Sequence, residues 1–324
     1  YSMPLTTSAY TAARQELMTW KLKEKESISF MVKEFEQRKA AELYARQNIA
    51  KTGVIDTNKL HTYKYNDDIF RRLTTIPKGK NHGFVMFIDW SGSMHHNLKE
   101  TLKQLFSLCL FCKQIGVPFE VYGFKDCGAD NPFSYIGKTN AIRGYNLVLR
   151  NFLSSRMNVE ELNFAMSFLW AAGQGNYLAS DGMGGTPLND AIMISPKVVE
   201  DFTIRNKLEI TNVVWLTDGG SNGSNGLENS TAVRERSHRE GEGKHTTRYF
   251  YVDPITQKTY DWYPYQWGYT AENTNTLLRI LKDRTNCNLV GFYLYETHNF
   301  KRIDNEFGIS NGNPEAFVKA RKFW

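Results

Sequence analysis

Asp89, Ser91 and Ser93 lie in the stretch FVMFIDWSGSM, where an apolar run ends in a carboxylate followed by two hydroxyls spaced two apart. A carboxylate at the end of a buried strand is costly unless something pairs with it. One reading is a turn in which these side chains bond the local backbone. The other is a cation site. Asp218 ends a second apolar run, VVWLTD, and Thr186 stands in GMGGTPLNDAI, just before a helical pattern with Pro187 at its first position. Together these make two carboxylates and three hydroxyls, with no His or Cys among them. An all-oxygen set of low charge suits Mg²⁺, or Mn²⁺, rather than zinc or copper.

None of these groups is an activated nucleophile, and no general base stands out, so catalysis by this chain alone is not expected. His95 and His96 follow the serines and read as exposed first-turn helix residues. DGGSNGSNG lacks the Lys-Ser/Thr ending of a phosphate loop. The competing chemistry is a Mg²⁺-dependent hydrolase or nuclease using Asp89 and Asp218. It needs further carboxylates, for which Asp181 and Asp190 are near in sequence.

Such residues converge only if strands deliver them to one edge. The apolar runs FVMFID, PFEVYGF, EITNVVWLTD and CNLVGFYLYE are of strand length. Between them lie helical patterns over 97–116, 157–172, 188–204 and 273–286. Interleaved strands and helices predict a Rossmann-like α/β fold, a mostly parallel sheet flanked by helices. Ligands then gather at the carboxyl ends of the strands, where Asp89 and Asp218 fall.

Residues 10–50 are rich in Lys, Glu, Gln, Arg and Ala, without Gly or Pro. Ile28, Met31 and Phe35 recur at helical spacing, as do Ala40, Leu43 and Tyr44. The pattern predicts one long or two shorter amphipathic helices closed by Gly53, forming an arm packed on the domain or on a partner. The organisation expected is a helical extension over 1–60, a connector over 61–83 and the main domain over 84–324. Within it, residues 219–270 read as an insertion. Its aromatic part, RYFYVDPITQKTYDWYPYQWGY, predicts a β-hairpin turning at Asp253-Pro254 and projecting from the domain edge near Asp218. Its Tyr and Trp residues serve hairpin packing or, next, a protein interface.

The chain has 324 residues, 41% hydrophobic and 23% charged, with a net charge of +6. That mild charge does not argue for nucleic acid, and no nucleic-acid-binding motif is visible. No apolar run approaches the roughly 18 residues of a membrane span. The opening YSMPLTTSAY lacks the basic-then-apolar pattern of a secretory signal, and the missing initiator Met leaves room for residues upstream. Cys109, Cys112, Cys127 and Cys287 show no second pair at zinc spacing, and read as free thiols suited to a reducing cytoplasm.

DWSGSM, then GGTPLNDAI, then LTDGGS, each at the expected strand-to-helix loop, resemble the metal-ion-dependent adhesion site of von Willebrand factor A domains over about residues 80–296. The resemblance implies metal ligation by Asp89, Ser91, Ser93, Thr186 and Asp218, with an open position for a carboxylate from a protein target. A narrower similarity, carried by GVIDTNKLHTYKYNDDIFRR, DWSGSM and GGTPLNDAI, is to the T subunit of aerobic cobaltochelatase, whose homologues also occur in tailed phages. It implies a hexameric AAA+ ATPase partner of the MoxR-related group.

Overall fold

The computed structural model describes residues 3–45, 48–55, 70–75, 81–126, 141–142, 147–178, 181–221, 227–228, 233–234, 247–262 and 270–294. Five strands form the central sheet: β1 (His82–Asp89), β2 (Phe119–Lys125), β3 (Val148–Ser154), β4 (Ile210–Thr217) and, after the insertion, a strand at Asn288–Tyr293. The insertion itself contributes β5 (Thr247–Val252) and β6 (Thr259–Trp262), so the last sheet strand is β7. The sheet order is β7-β4-β1-β2-β3. The first three pairings are parallel and the last is antiparallel. The architecture is therefore mixed α/β, a mostly parallel sheet flanked by helices, as expected. Sequence reading did not anticipate β3, which closes one edge.

Alternation along β1 sorts the core. Met86 and Ile88 enter one apolar cluster, while Val85 and Phe87 enter another on the opposite face, each residue fully buried. Helices α1 (Thr7–Ala45), α2 (Leu98–Ile115) and α3 (Val159–Ala172) cover the first face. Helices α4 (Leu188–Asn206) and α5 (Thr270–Thr285), with the β5–β6 hairpin, cover the second. Local chemistry sets the helix ends. Gly116 takes a left-handed φ of 71° to stop α2. Asn158 and Glu161 close a reciprocal capping box on α3. Pro196 leaves the Ile192 carbonyl of α4 without its amide, and the Ser195 hydroxyl donates to that carbonyl at 2.7 Å instead.

The N-terminal segment is one helix of 39 residues rather than two. It packs on α2 and α3 through buried Ala13, Leu17 and Ile28, with Trp20 against Phe106 and Trp170. Met31 and Phe35 are half-buried and Ala40 is exposed; the side chains of Leu43 and Tyr44 lie outside the described residues. Gly53 does not end the helix. It lies inside a strand, Asn48–Ile55, paired antiparallel with Phe70–Thr75 in what reads from sequence as helix and connector. The β-branched Ile49, Thr52, Val54 and Ile55 suit that ladder, and a nearby antiparallel partner outweighs the helix signal upstream.

The hairpin forms, with Tyr251 opposite Tyr260 and Tyr249 opposite Trp262. It does not project. Tyr251, Tyr260 and Trp262 are buried in the α4–α5 cluster, whereas Val252 on the other face is exposed. At the tip, Asp253 is fully covered and paired with Arg284, and Lys258 reaches Asp283 at 2.7 Å. Both partners stand at the end of α5 that leads into the amino end of β7. The hairpin therefore lies along α5 with its tip pointing away from Asp89. An aromatic inner face and a buried ion pair hold it there. Tyr263, Tyr265, Trp267 and Cys127 lie outside the described residues; Cys109, Cys112 and Cys287 are free and buried. Among the described residues no helix is long and apolar enough to cross a membrane.

Candidate metal centre

Parallel pairing puts the ends of β1, β2 and β4 side by side. Asp89 is matched with Phe124 of β2, and Ile88 with Leu216 of β4, so Asp89 lies level with Thr217. The Thr217 hydroxyl donates to Asp89 Oδ2 at 2.7 Å and takes a hydrogen bond from the Gly219 amide at 3.3 Å. Asp89 is fully buried, and its Oδ1 has no hydrogen-bond partner. Burial pushes its carboxyl up to about 7; the Thr217 and Ser91 hydroxyls and the Ser91 amide draw it down, while the Asp218 charge raises it further.

The serines bridge the two strand ends. Ser91 and Ser93 share a hydrogen bond of 3.0 Å between their hydroxyls, and Ser93 donates to Asp218 Oδ1 at 2.9 Å. Four of the five expected residues are thus linked around one point: Asp89 through Thr217 and Ser91, and Ser91 through Ser93 to Asp218.

Thr186 arrives on a loop stitched to the same edge. Gly184 forms a parallel bridge with Ser91: its amide donates to the Trp90 carbonyl at 3.2 Å, and its carbonyl accepts from Gly92 at 2.9 Å. The Trp90 indole donates to the Asp181 carbonyl at 2.7 Å, and Lys125 Nζ to the Gly182 carbonyl at 2.8 Å. The Asp126 amide donates to Gly185 at 3.4 Å. A side chain at Gly184 would run into the Asp126 carboxylate and carbonyl, which explains the glycine there. Two residues on, Thr186 is 5% exposed. Helix α4 begins at Leu188, as the pattern over 188–204 suggests, with Pro187 as its N-cap rather than its first helical residue.

Of the residues proposed from sequence for other roles, Asp181 is drawn away from this cluster. Asp181 turns its carboxylate to Arg150 in an ion pair. Asp190 is buried in the first turn of α4. His95 and His96 occupy a short 3₁₀ turn, Gly92–His96, and both are exposed; His95 Nδ1 is 3.3 Å from the Tyr177 hydroxyl. Thr217 and Asp126 were not singled out in the sequence. Asp126 follows the end of β2 in GFKD, so the strand-end rule that finds Asp89 also applies to it. Thr217 becomes visible only once the register of β4 against β1 is known.

Among the described residues no group of three or more His, Cys, Asp and Glu gathers as a ligand set. What is present is a buried carboxylate with one unpartnered oxygen, a second carboxylate and a row of hydroxyls. That composition fits a hard divalent cation: the Asp89 oxygen left without a hydrogen-bond partner would gain one, and the hydroxyls supply neutral donors.

No protein-family model matches the chain, and no curated protein does. Solved structures similar to it include the pilus adhesin SpaC from Lactobacillus rhamnosus GG in its open conformation, at 15% identity and a TM-score of 0.40 over 71% of this chain and 26% of that one. A second form of SpaC gives a TM-score of 0.35 at 15% identity over 76% of this chain and 27% of that one. The vWF domain of the type V pili tip protein Mfa5 from Porphyromonas gingivalis gives 0.27 at 11% identity, covering 50% of this chain and 47% of that domain. This chain spans about a quarter of the length of the adhesins.

Proposed function

We propose that the chain is a Mg²⁺-dependent protein-binding subunit of the von Willebrand factor A type, working with a MoxR-related AAA+ ATPase in the cytoplasm as the T subunit of cobaltochelatase does. The observation that carries the metal part of this reading is Asp89, fully buried with Oδ1 unpartnered. Ser91, Ser93 and Thr186 would ligate directly, with Asp89 and Asp218 ligating directly or through water. Bound Mg²⁺ supplies a Lewis-acidic centre with an exchangeable position that a carboxylate on the protein target fills. The protein's own part is preorganisation: Thr217 orients Asp89, Ser93 orients Asp218, and the Gly184 bridge holds the Thr186 loop against Ser91.

Hydrolysis is the weaker reading. It needs carboxylates beyond Asp89 and Asp218, and Asp181, one of the two candidates, is engaged by Arg150.

Titration calorimetry tests the metal assignment. Mg²⁺ should bind the wild-type chain, Asp89→Ala should abolish binding while leaving the circular dichroism spectrum unchanged, and Thr186→Ala should weaken it. Unchanged Mg²⁺ affinity in Asp89→Ala sinks the assignment.

A further inference from the structure

Away from the strand ends, α1 and α3 form a shallow groove on the outer surface. Buried Leu17 makes its floor. Met18, 47% exposed, and Leu22, 74% exposed, make an apolar wall on α1. Lys21 and Lys25 line the same wall, while Asn163 and Ser167 of α3 face them. Met18, Leu22 and Lys25 fall at i, i+4 and i+7, one stripe of the helix. These exposed apolar groups serve neither the core nor the metal centre.

The charges indicate what would cover them. Lys21 is half-buried, and its ammonium donates to Asn163 Oδ1, a neutral acceptor. Neither Lys21 nor Lys25 pairs with a carboxylate among the described residues, although Glu24 between them bonds Ser107. Burial lowers the pKa of Lys21, as expected of an ammonium that lacks a counter-charge. An apolar strip with two cations on it matches apolar side chains flanked by carboxylates. The helical spacing of the strip, between two helices, suits a third helix laid in the groove.

We propose that the α1–α3 groove docks an acidic amphipathic helix of a partner protein, with leucine-like side chains over Met18 and Leu22 and carboxylates on Lys21 and Lys25. The inference stands independently of the metal centre. A second copy of this chain is a poorer occupant, because a two-fold contact would bring the same lysine-bearing stripe against itself.

The test uses the full chain and a fluorescein-labelled helical peptide carrying a leucine stripe flanked by glutamates, with a lysine-for-glutamate peptide as control. Anisotropy should show binding of the acidic peptide alone, weakened by salt and unaffected by EDTA. Leu22→Asp, and separately Lys21→Glu with Lys25→Glu, should each weaken it by about tenfold or more, the loss of roughly one buried anchor or charge pair. The charge-reversed chain should favour the lysine peptide. Leu22 and Lys25 are exposed, so Leu22→Asp and Lys25→Glu alone should leave the melting curve unchanged, and Lys25→Glu is the charge variant to read if losing the Lys21–Asn163 bond lowers the melting temperature of the double variant. No binding of the acidic peptide, or binding indifferent to all these variants, overturns the proposal. So does a wild-type dimer in sedimentation that Leu22→Asp dissociates, which makes a second copy the occupant. Tighter sedimentation with anionic phosphatidylglycerol vesicles than with the peptide, abolished by the charge reversal, also overturns it in favour of a lipid surface.

Discussion

Without a cation, Asp89 sets folding against rising pH. Its native carboxyl sits at about 7, raised first by burial, against roughly 4 in an unfolded chain. Between those values the native state holds a proton that the unfolded state has lost, so stability falls as pH rises from about 4 to about 7 and then levels off. The full difference is at most about 4 kcal/mol, taken as three pH units. In EDTA, Asp89→Asn should therefore melt near the wild-type temperature at pH 4 and well above it at pH 8. Adding Mg²⁺ at pH 8 should raise the wild-type melting temperature and leave the variant unmoved. Parallel melting curves for the two proteins from pH 4 to 8 would show that Asp89 carries no such strain.

At the scale of elements, the hairpin tip is held by a buried ion pair, Asp253 with Arg284, beside a more exposed one, Lys258 with Asp283. Burial by itself would raise the Asp253 carboxyl, but Arg284 and the hydroxyl and amide of Thr256 hold it at about 2. A depressed native value means that this contribution is complete above about pH 4 and is lost as pH falls toward 2. Arg284→Ala strands a covered carboxylate, at a cost of about 3 kcal/mol, the low end for a broken buried pair because the Thr256 amide and hydroxyl still bond Asp253. Urea unfolding should show that loss, with amide exchange accelerated first in residues 249–262. Pairing Asp253→Asn with Arg284→Ala should recover much of it. The α1 helix is fixed differently, by aromatic contacts such as Phe35 with Phe111, edge-on at 5.8 Å, so no single charge releases it.

For the whole molecule, two surfaces with different chemistry face different ways: a cluster of carboxylates and hydroxyls at the strand ends and a lysine-bearing groove on α1–α3. If the metal centre is the joint to the ATPase, copurification with a MoxR-related ATPase encoded nearby should collapse in EDTA and in Asp89→Ala. Charge reversal at Lys21 and Lys25 should leave the metal-dependent part of that contact intact. Copurification that survives both chelation and Asp89→Ala unchanged would remove the metal from the interface.

Much of the sheet was legible in the sequence because its central strands β1, β2 and β4 are largely buried on both faces, while β7 at the edge is half-exposed but still apolar enough to read as a strand. FVMFID, PFEVYGF and the later apolar runs declare themselves by composition, and the helices between them by period. The strand-end rule then brought Asp89 and Asp218 to one edge, and the serines and Thr186 to the loops beside it. Three things depended on tertiary structure. Val148–Ser154 became an antiparallel edge strand through its pairing with β2, a contact that local pattern does not encode. The hairpin lay down along α5 because Arg284, some thirty residues further on, meets Asp253 there. Asp89 kept one oxygen without a partner while Thr217 took the other, and that follows from the register of β4 on β1. Sequence spacing identifies which groups reach the strand ends. Which of them satisfy one another depends on strand register and buried distance, which exist only in the folded chain.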